Sequence, residues 1–263
     1  MSKIEIKNLS FGYGEGSRQV AALENISLSI AEGEFICLLG PSGCGKSTLL
    51  SILNGLNRAD SGQIIMDGAP VNGPGRNRAV VFQHYSLFPW LTVRKNVMFG
   101  IQQSGQHHSK AESQELANHY LEQVGLGNAG DRYPAELSGG MQQRVAIARA
   151  LAMEADILLM DEPFGAIDPK LRKELQELVS RLSKEHNKTV VFVTHDIDEA
   201  ILLADRIVVM EPRRIRAVEA VSLPRPRRRD ELVQDPEYLR LSKRLMSLFY
   251  ERVANEIHDE VTL

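Results

Sequence analysis

The stretch Phe35-Ile-Cys-Leu-Leu-Gly-Pro-Ser-Gly-Cys-Gly-Lys-Ser47 decides the fold of this chain. It opens on a short, continuous apolar run, which is typical of a buried strand, and from Gly40 to Ser47 it matches the pattern G-x-x-x-x-G-K-[ST]. The periodic segment from Thr48 to Leu56 then predicts a helix. A strand, a glycine-rich loop and a helix in this order predict a phosphate-binding loop.

Each part of this loop suits phosphate binding. The glycines let backbone N–H groups converge on phosphate oxygens, the Lys46 ammonium brings charge to the β and γ phosphates, and the Ser47 hydroxyl is a ligand for Mg²⁺. A merely tight turn would need neither the lysine nor the hydroxyl. We therefore predict a nucleotide-binding set made of Gly40, Pro41, Ser42, Gly43, Cys44, Gly45, Lys46, Ser47 and Thr48.

A second motif favours hydrolysis of the bound nucleotide. The segment 157–162 reads ILLMDE, an apolar strand that ends in two carboxylates. Asp161 is suited to hold Mg²⁺ through water, and Glu162, displaced at the next position, to polarise an attacking water. Alone, such a pair would equally fit a helix cap or a solvated turn. The phosphate loop in the same chain favours the catalytic interpretation.

Hydrophobic patterning around these motifs predicts an α/β protein. Alternating apolar residues in the first thirty-odd positions predict a small N-terminal antiparallel β section with a glycine-rich turn at 12–16. Apolar runs at Ile157–Met160 and Thr189–Thr194 each precede a helical pattern. Strands that alternate with helices predict a mostly parallel sheet with flanking helices.

Helical patterns interrupt this core and follow it. From about residue 86 to 151 the strand signal fades, which predicts a helical subdomain inserted into a domain that spans 1–210. Between Pro169 and Ser183 the apolar residues recur at helical spacing, with Asp168 as the expected N-cap.

The last part of the chain, 211–263, is predicted to be a linker with a helical tail. The segment Pro224–Arg229 reads as a solvated linker because it is rich in proline and arginine. Apolar residues within Asp235–Glu256 fall on one side of a predicted helix.

Composition limits the class of protein. The chain has 263 residues, of which 43% are hydrophobic, and a net charge of −3, which argues against a dominant nucleic-acid surface. No apolar run reaches the roughly 18–20 residues that span a bilayer. The two cysteines, Cys37 and Cys44, form no metal-type cluster and no disulfide framework. We expect a soluble protein in a reducing, cytoplasmic compartment.

Several motifs in order make residues 2–210 resemble the ATP-binding-cassette (ABC) ATPases. They are the phosphate loop, Gln83 in VVFQ, Leu137-Ser-Gly-Gly140, Asp161-Glu162, Asp168 in Gly165-Ala-Ile-Asp168, and His195 in VTHD. The resemblance implies a P-loop NTPase core that binds ATP and Mg²⁺ and hydrolyses the nucleotide.

The resemblance also implies individual roles. Tyr13 stands where the family stacks an aromatic ring on adenine, and Asp168 belongs to the ATP-binding set. Gln83 ligates Mg²⁺ and senses the attacking water, and His195 bonds the γ-phosphate, so that both act with Glu162 in catalysis. Judged alone, such a histidine would be a structural residue and such a glutamine a surface residue.

The LSGG stretch raises the question of a second phosphate site. Ser138, Gly139 and Gly140 begin a helix with accessible backbone N–H groups. The resemblance implies that two cassettes pack head to tail as a homodimer and that these residues complete the ATP site of the partner. ATP would then close the dimer, and hydrolysis would open it.

The segment 84–97, after Gln83, is where the family docks two transmembrane permease subunits. Its apolar cluster consists of Leu87, Phe88, Trp90 and Leu91. These side chains could instead pack inside the helical subdomain. Phe88-Pro-Trp-Leu-Thr-Val93 and LSGGM are similar to the nitrate, sulfonate and taurine importer branch.

Three functions follow in order of preference. The first is the ATPase subunit of an importer, peripheral on the cytoplasmic face of the inner membrane, with an external substrate-binding protein as an indirect partner and no nucleic acid. The second is a soluble cassette ATPase that acts on ribosomes or nucleic acid. The third is a phosphate-loop kinase or GTPase, which would leave LSGG, Gln83 and His195 without a task.

Overall fold

The computed structural model describes residues 2–14, 18–83, 85–165 and 167–261. The strands are β1 (Ser2–Tyr13), β2 (Val20–Ala31), β3 (Phe35–Leu39), β4 (Ser61–Met66), β5 (Ala69–Pro70), β6 (Arg78–Val81), β7 (Ile157–Asp161), β8 (Thr189–Thr194), β9 (Arg206–Glu211) and β10 (Arg214–Ala220). The α-helices are α1 (Lys46–Asn54), α2 (Val93–Gln103), α3 (Lys110–Gln123), α4 (Gly139–Leu151), α5 (Pro169–Glu185), α6 (Ile197–Leu203), α7 (Arg229–Leu232) and α8 (Pro236–Val261).

The chain forms two compact units, of which the first combines Met1–Gly73 with Val191–Leu263. It contains the antiparallel sheet β2-β1-β4-β5, which confirms the N-terminal β section. Its other strands follow the order β10-β9-β3-β8, with β3 parallel to β9. All five residues of β3 are buried, as expected of an apolar run without alternation. The predicted turn at 12–16 lies in part outside the described residues.

The second unit is Pro74–Val190. Its strands β6 and β7 pair in parallel, and helices α2, α3 and α4 occupy most of the region where the strand signal fades. Helix α5 begins at Pro169, and the Asp168 carboxylate accepts a hydrogen bond of 3.1 Å from the Leu171 backbone N–H. This N-cap confirms the start that the sequence predicts for α5.

The region after Met210 differs from the prediction of a solvated linker. Strand β10 pairs with β9 in an antiparallel register, so the sheet continues beyond Met210. Arg227 is only 8% exposed, and its guanidinium donates to four backbone carbonyls. The sequence pattern missed this burial because two of the four carbonyls, those of Ile201 and Ala204, lie more than twenty residues away along the chain. The helical tail is present as α8, whose inward face is Tyr238, Leu241, Leu245 and Leu248. The domain boundary at 210 stays a prediction.

Both cysteines are free and buried. Burial raises the pKa of the Cys37 thiol well above its usual range and also raises that of Cys44. Over the described part of the chain, no helix has both the length and the apolar character needed to cross a membrane.

Candidate functional site

The phosphate loop connects β3 to α1 in the first unit. Gly43 and Gly45 have φ angles of +79° and +110°, a left-handed region that side chains rarely adopt. Gly45 is the N-cap of α1, yet no side chain caps the helix and its first turn has no acidic residue. The N-terminal N–H groups therefore have no side-chain cap, which is the arrangement that binds an anion.

Lys46 lies across this loop. It is only 4% exposed, and its ammonium donates hydrogen bonds of 2.8 Å to the carbonyl oxygens of Gly40 and Pro41. The neighbouring Cys44 thiol has a pKa raised mainly by burial, so it stays protonated near neutral pH and adds no negative charge beside the loop. A buried cation in a loop of backbone N–H groups favours phosphate.

Tyr13 and Thr48 lie together in the same unit. The Tyr13 hydroxyl and Thr48 Oγ1 are 3.2 Å apart, and the Tyr13 ring meets the edge of Phe11 at a centroid distance of 5.0 Å. The Tyr13 side chain is nevertheless 51% exposed. An exposed aromatic ring beside the helix of the phosphate loop suits the predicted stacking on adenine.

His195 is exposed and stands between the end of β8 and the start of α6. The Thr194 hydroxyl accepts a hydrogen bond of 3.0 Å from the Asp196 N–H and donates one of 2.5 Å to the buried Glu199 carboxylate. Asp196 in turn caps α6 by accepting from the Glu199 N–H at 3.1 Å. The backbone on both sides of His195 is thus held by short polar contacts.

Two predicted catalytic residues, Gln83 and Glu162, lie in the second unit with Asp161, which is predicted to hold Mg²⁺ through water. Val81 pairs with Met160 in parallel register, so the residues after β6 and the end of β7 share one edge of this strand pair. Gln83 follows β6, and Asp161 and Glu162 stand at the end of β7. Glu162 has a φ of +41°, which is uncommon for a residue other than glycine and turns the chain sharply after Asp161.

A loop contact brings Gln83 close to the segment that follows Glu162. A Cβ atom added to Gly165 would lie 3.7 Å from Gln83 Nε2. The Gly165 N–H also donates a hydrogen bond of 3.2 Å to the Glu162 carbonyl. The structure therefore places Gln83 close to the loop that begins at Glu162, directly after Asp161 at the end of β7.

The LSGG stretch forms the start of α4. The Ser138 hydroxyl oxygen is the N-cap and accepts from the Met141 N–H at 3.4 Å, which leaves its proton for donation elsewhere. Gly140 is buried, and a Cβ added there would lie 1.9 Å from Leu171 Cδ2 on α5. The signature helix and the helix that Asp168 caps are therefore in close contact.

We expect Gly140→Ala to destabilise the protein by about 1 kcal/mol, because the half-buried Leu171 side chain must move to make room for the added methyl group. Leu171→Ala in the same chain makes room and restores most of the loss, as thermal unfolding would measure. Gly73→Ala is the matched control because nothing lies within 4 Å of its added Cβ. If Gly140→Ala were as stable as this control, the packing explanation would be wrong. Persistent loss of ATPase activity in the double variant would show that Gly140 also contributes to phosphate binding.

Two residues that the motifs did not single out shape the segment 84–97. The fully buried Asn96 accepts from the Phe88 N–H at 2.9 Å and donates to the carbonyls of Phe88, Leu91 and Thr92 at 3.1–3.2 Å. Arg149 of α4 donates to the carbonyls of Ser86 and Tyr85. Asn96 could have been found from the sequence, because it is a polar residue on the same helical face as the apolar residues Val93 and Val97.

The apolar cluster of this segment reaches the surface of the second unit. Phe88 packs against Trp90 and Phe99 with centroid distances of 5.6 and 4.7 Å, and the Arg149 guanidinium lies 5.6 Å from the Phe88 ring centre. Trp90 itself is 71% exposed. Packing inside the helical subdomain therefore does not account for Trp90. The first residue of the segment, His84, lies outside the described residues.

The comparisons with known proteins agree with these motifs. The family model described as ABC transporter matches residues 23–165, which include the phosphate loop, Gln83, the LSGG stretch and both carboxylates. The chain belongs to the ABC transporter family. It is an ATPase of that family, and relatives named as import or transport ATP-binding proteins confirm the preference for a transporter ATPase over one that acts on ribosomes or nucleic acid.

Two curated relatives and one solved structure illustrate the likeness. The nitrate import ATP-binding protein NrtD of Synechococcus elongatus is 44% identical over 238 residues, covering 89% of this chain and 87% of NrtD. The bicarbonate transport ATP-binding protein CmpD of a Synechocystis species is 41% identical over 261 residues, covering 98% and 92%. A dimeric ATP-binding cassette in a post-hydrolysis state, bound to ADP and Pi, superimposes with a TM-score of 0.75 at 35% identity, covering 84% of this chain and all of the other.

Proposed function

We propose that this ABC ATPase drives the uptake of a small solute of the nitrate, sulfonate or taurine type. It works at the cytoplasmic face of the membrane, with two separate permease subunits and, indirectly, an external substrate-binding protein. The observation that carries this proposal is the exposed Trp90, which offers an apolar contact for a permease subunit. Hydrogen bonds from Asn96 and Arg149 to backbone carbonyls fix the segment that bears it. Relatives named for nitrate and bicarbonate support a small anion as cargo.

Different residues bind the phosphates, the adenine and the Mg²⁺ ion of ATP. The loop N–H groups and the Lys46 ammonium bind the β and γ phosphates, and Tyr13 stacks on adenine. Ser47, Gln83 and, through water, Asp161 provide the oxygen donors that Mg²⁺ prefers. The ion, when bound, neutralises charge on the phosphates.

Hydrolysis needs a proton acceptor and a γ-phosphate contact. Glu162 accepts the proton of the attacking water, and Gln83 orients that water. His195, exposed at the end of β8, bonds the γ-phosphate. Because ADP lacks the γ-phosphate, these contacts distinguish the two nucleotides.

The Ser138 hydroxyl and the first N–H groups of α4 complete the ATP site of a second copy of the chain. The cap leaves the Ser138 proton for donation, and the helix dipole favours an anion by about 0.3–1 kcal/mol. The dimeric state of the similar cassette supports this arrangement. ATP then joins the two copies, and hydrolysis releases them.

Docking of the permease is tested by Trp90→Ala. A buried tryptophan at the centre of an interface is typically worth 2 kcal/mol or more, so we expect recovery with the multi-spanning partner to fall about thirtyfold. The measurement is co-purification from detergent-solubilised membranes, with thermal unfolding to confirm the fold. Leu56→Ala, which removes an exposed apolar side chain elsewhere, should leave recovery unchanged. Recovery of the wild-type chain with ribosomes or DNA instead would refute the importer proposal.

A further inference from the structure

The C-terminal segment holds the end of helix α6. The last carbonyls of a helix have no partner inside the helix and need one elsewhere. Arg227 donates to the carbonyls of Ile201 at 2.9 Å and Ala204 at 2.5 Å, and Arg225 donates to that of Leu203 at 2.5 Å. Two arginines from beyond β10 thus satisfy three carbonyls at the end of α6.

Further hydrogen bonds fix the buried Arg227 side chain at the end of α6. The same guanidinium donates to the carbonyls of Val221 and Leu223 at 3.0–3.1 Å, so that its donors are shared among four carbonyls. Burial lowers the pKa of Arg227 to about 10, and the group therefore keeps its charge at neutral pH. A cation at the C-terminal end of a helix is also favoured by the helix dipole.

The same segment holds the first turn of α6. The buried Tyr238 hydroxyl donates to Asp198 Oδ1 at 2.5 Å, and the Arg229 guanidinium pairs with Asp198 Oδ2. Asp198 is in the first helical turn, three residues after His195. Contacts from beyond residue 220 therefore hold this seven-residue helix at both ends.

The position of α6 sets the position of His195. The helix is capped by Asp196, and Glu199 of its first turn hydrogen-bonds Thr194 on the other side of His195. A rotation or shift of α6 would consequently move the backbone that carries the imidazole. Misplacement of a catalytic group by about 1 Å is enough to cost a large factor in rate.

We propose that the C-terminal segment positions His195 against the γ-phosphate, with Tyr238 as the positioning residue that acts through Asp198. The proposal rests on the γ-phosphate role of His195 proposed above. On this proposal, the segment after Met210 contributes to ATP hydrolysis by its own chain.

The test compares Tyr238→Phe in the full chain with Arg240→Ala. The first removes only the hydroxyl that reaches α6, and the second removes an exposed ion pair with Glu237 on the same helix. We expect Tyr238→Phe to lower kcat/KM for ATP about tenfold. Affinity for a non-hydrolysable ATP analogue should fall relative to ADP, while Arg240→Ala behaves as wild type. Asp198→Asn, which keeps the packing and loses the paired charge, gives a second variant should Tyr238→Phe fold poorly.

A His195→Ala background separates positioning from general stability. If Tyr238 acts through His195, Tyr238→Phe will not lower the analogue-to-ADP affinity ratio further once His195 is absent. A further decrease in that background would overturn the positioning proposal, as would a Tyr238→Phe variant that matches Arg240→Ala. If His195→Ala alone left the ratio unchanged, the γ-phosphate role of His195 itself would be wrong, and this proposal would fall with it.

Discussion

Glu162→Gln is expected to lower ATP turnover by at least about a hundredfold while ATP binding persists, because an amide does not accept the proton of the attacking water. The substitution keeps the size of the side chain and the sharp turn after Asp161. With hydrolysis blocked, the ATP-bound dimer opens only by release of intact ATP. Wild-type chain should form that dimer only transiently.

Turnover by phosphate release and size-exclusion chromatography with ATP would measure both effects. Glu174→Gln is the matched control, since Glu174 pairs with Arg144 in a partly exposed salt bridge of the same unit. We expect this control to hydrolyse ATP normally and to form no trapped dimer. A Glu162→Gln variant with normal turnover would exclude Glu162 as the base. Loss of turnover without a trapped dimer would count against the composite site with Ser138.

Lys46→Ala is expected to weaken ATP binding by about a hundredfold or more, because two charge-assisted phosphate contacts of about 1.5–3 kcal/mol each are lost. The structure adds a second cost. Lys46 bonds the carbonyls of Gly40 and Pro41, so its loss also loosens the loop before any nucleotide arrives. ADP binding should weaken less, since ADP has no γ-phosphate for the ammonium to contact.

Calorimetric titration with ATP and ADP would measure this difference. Lys7→Ala is the control because Lys7 is an exposed lysine of the same unit that pairs with Glu5. Its ATP affinity should equal that of the wild-type chain. If Lys46→Ala bound ATP with wild-type affinity, the Gly40–Ser47 loop would not be the phosphate site.

Features that depend on neighbouring residues could be predicted from the sequence. The order of β3, loop and α1 follows from an apolar run, glycines that allow positive φ, and a periodic segment. Asp168 was predictable as an N-cap because its partner, the Leu171 N–H, is three residues away. The two carboxylates at the end of β7 were predictable for the same local reason.

The resemblance to the ABC ATPases supplied a second group of predictions, which local sequence patterns alone do not support. Gln83, His195 and the LSGG stretch acquire roles only as members of an ordered set of motifs. The structure places Gln83 beside the loop that follows Glu162 and holds the backbone around His195 with capped turns. Their catalytic roles stay predictions, which the variants above would test.

What the sequence by itself determined is the phosphate loop, the two carboxylates where β7 ends, the capped helix α5 and membership of the ABC transporter family. The tertiary structure alone decided that Arg227 is buried, that Gly140 lies against Leu171, and that Tyr238 reaches Asp198. The physical reason is the distance along the chain between partners. A cap or a glycine turn is satisfied within a few residues, whereas a buried guanidinium or a tight helix contact needs groups that only folding brings together.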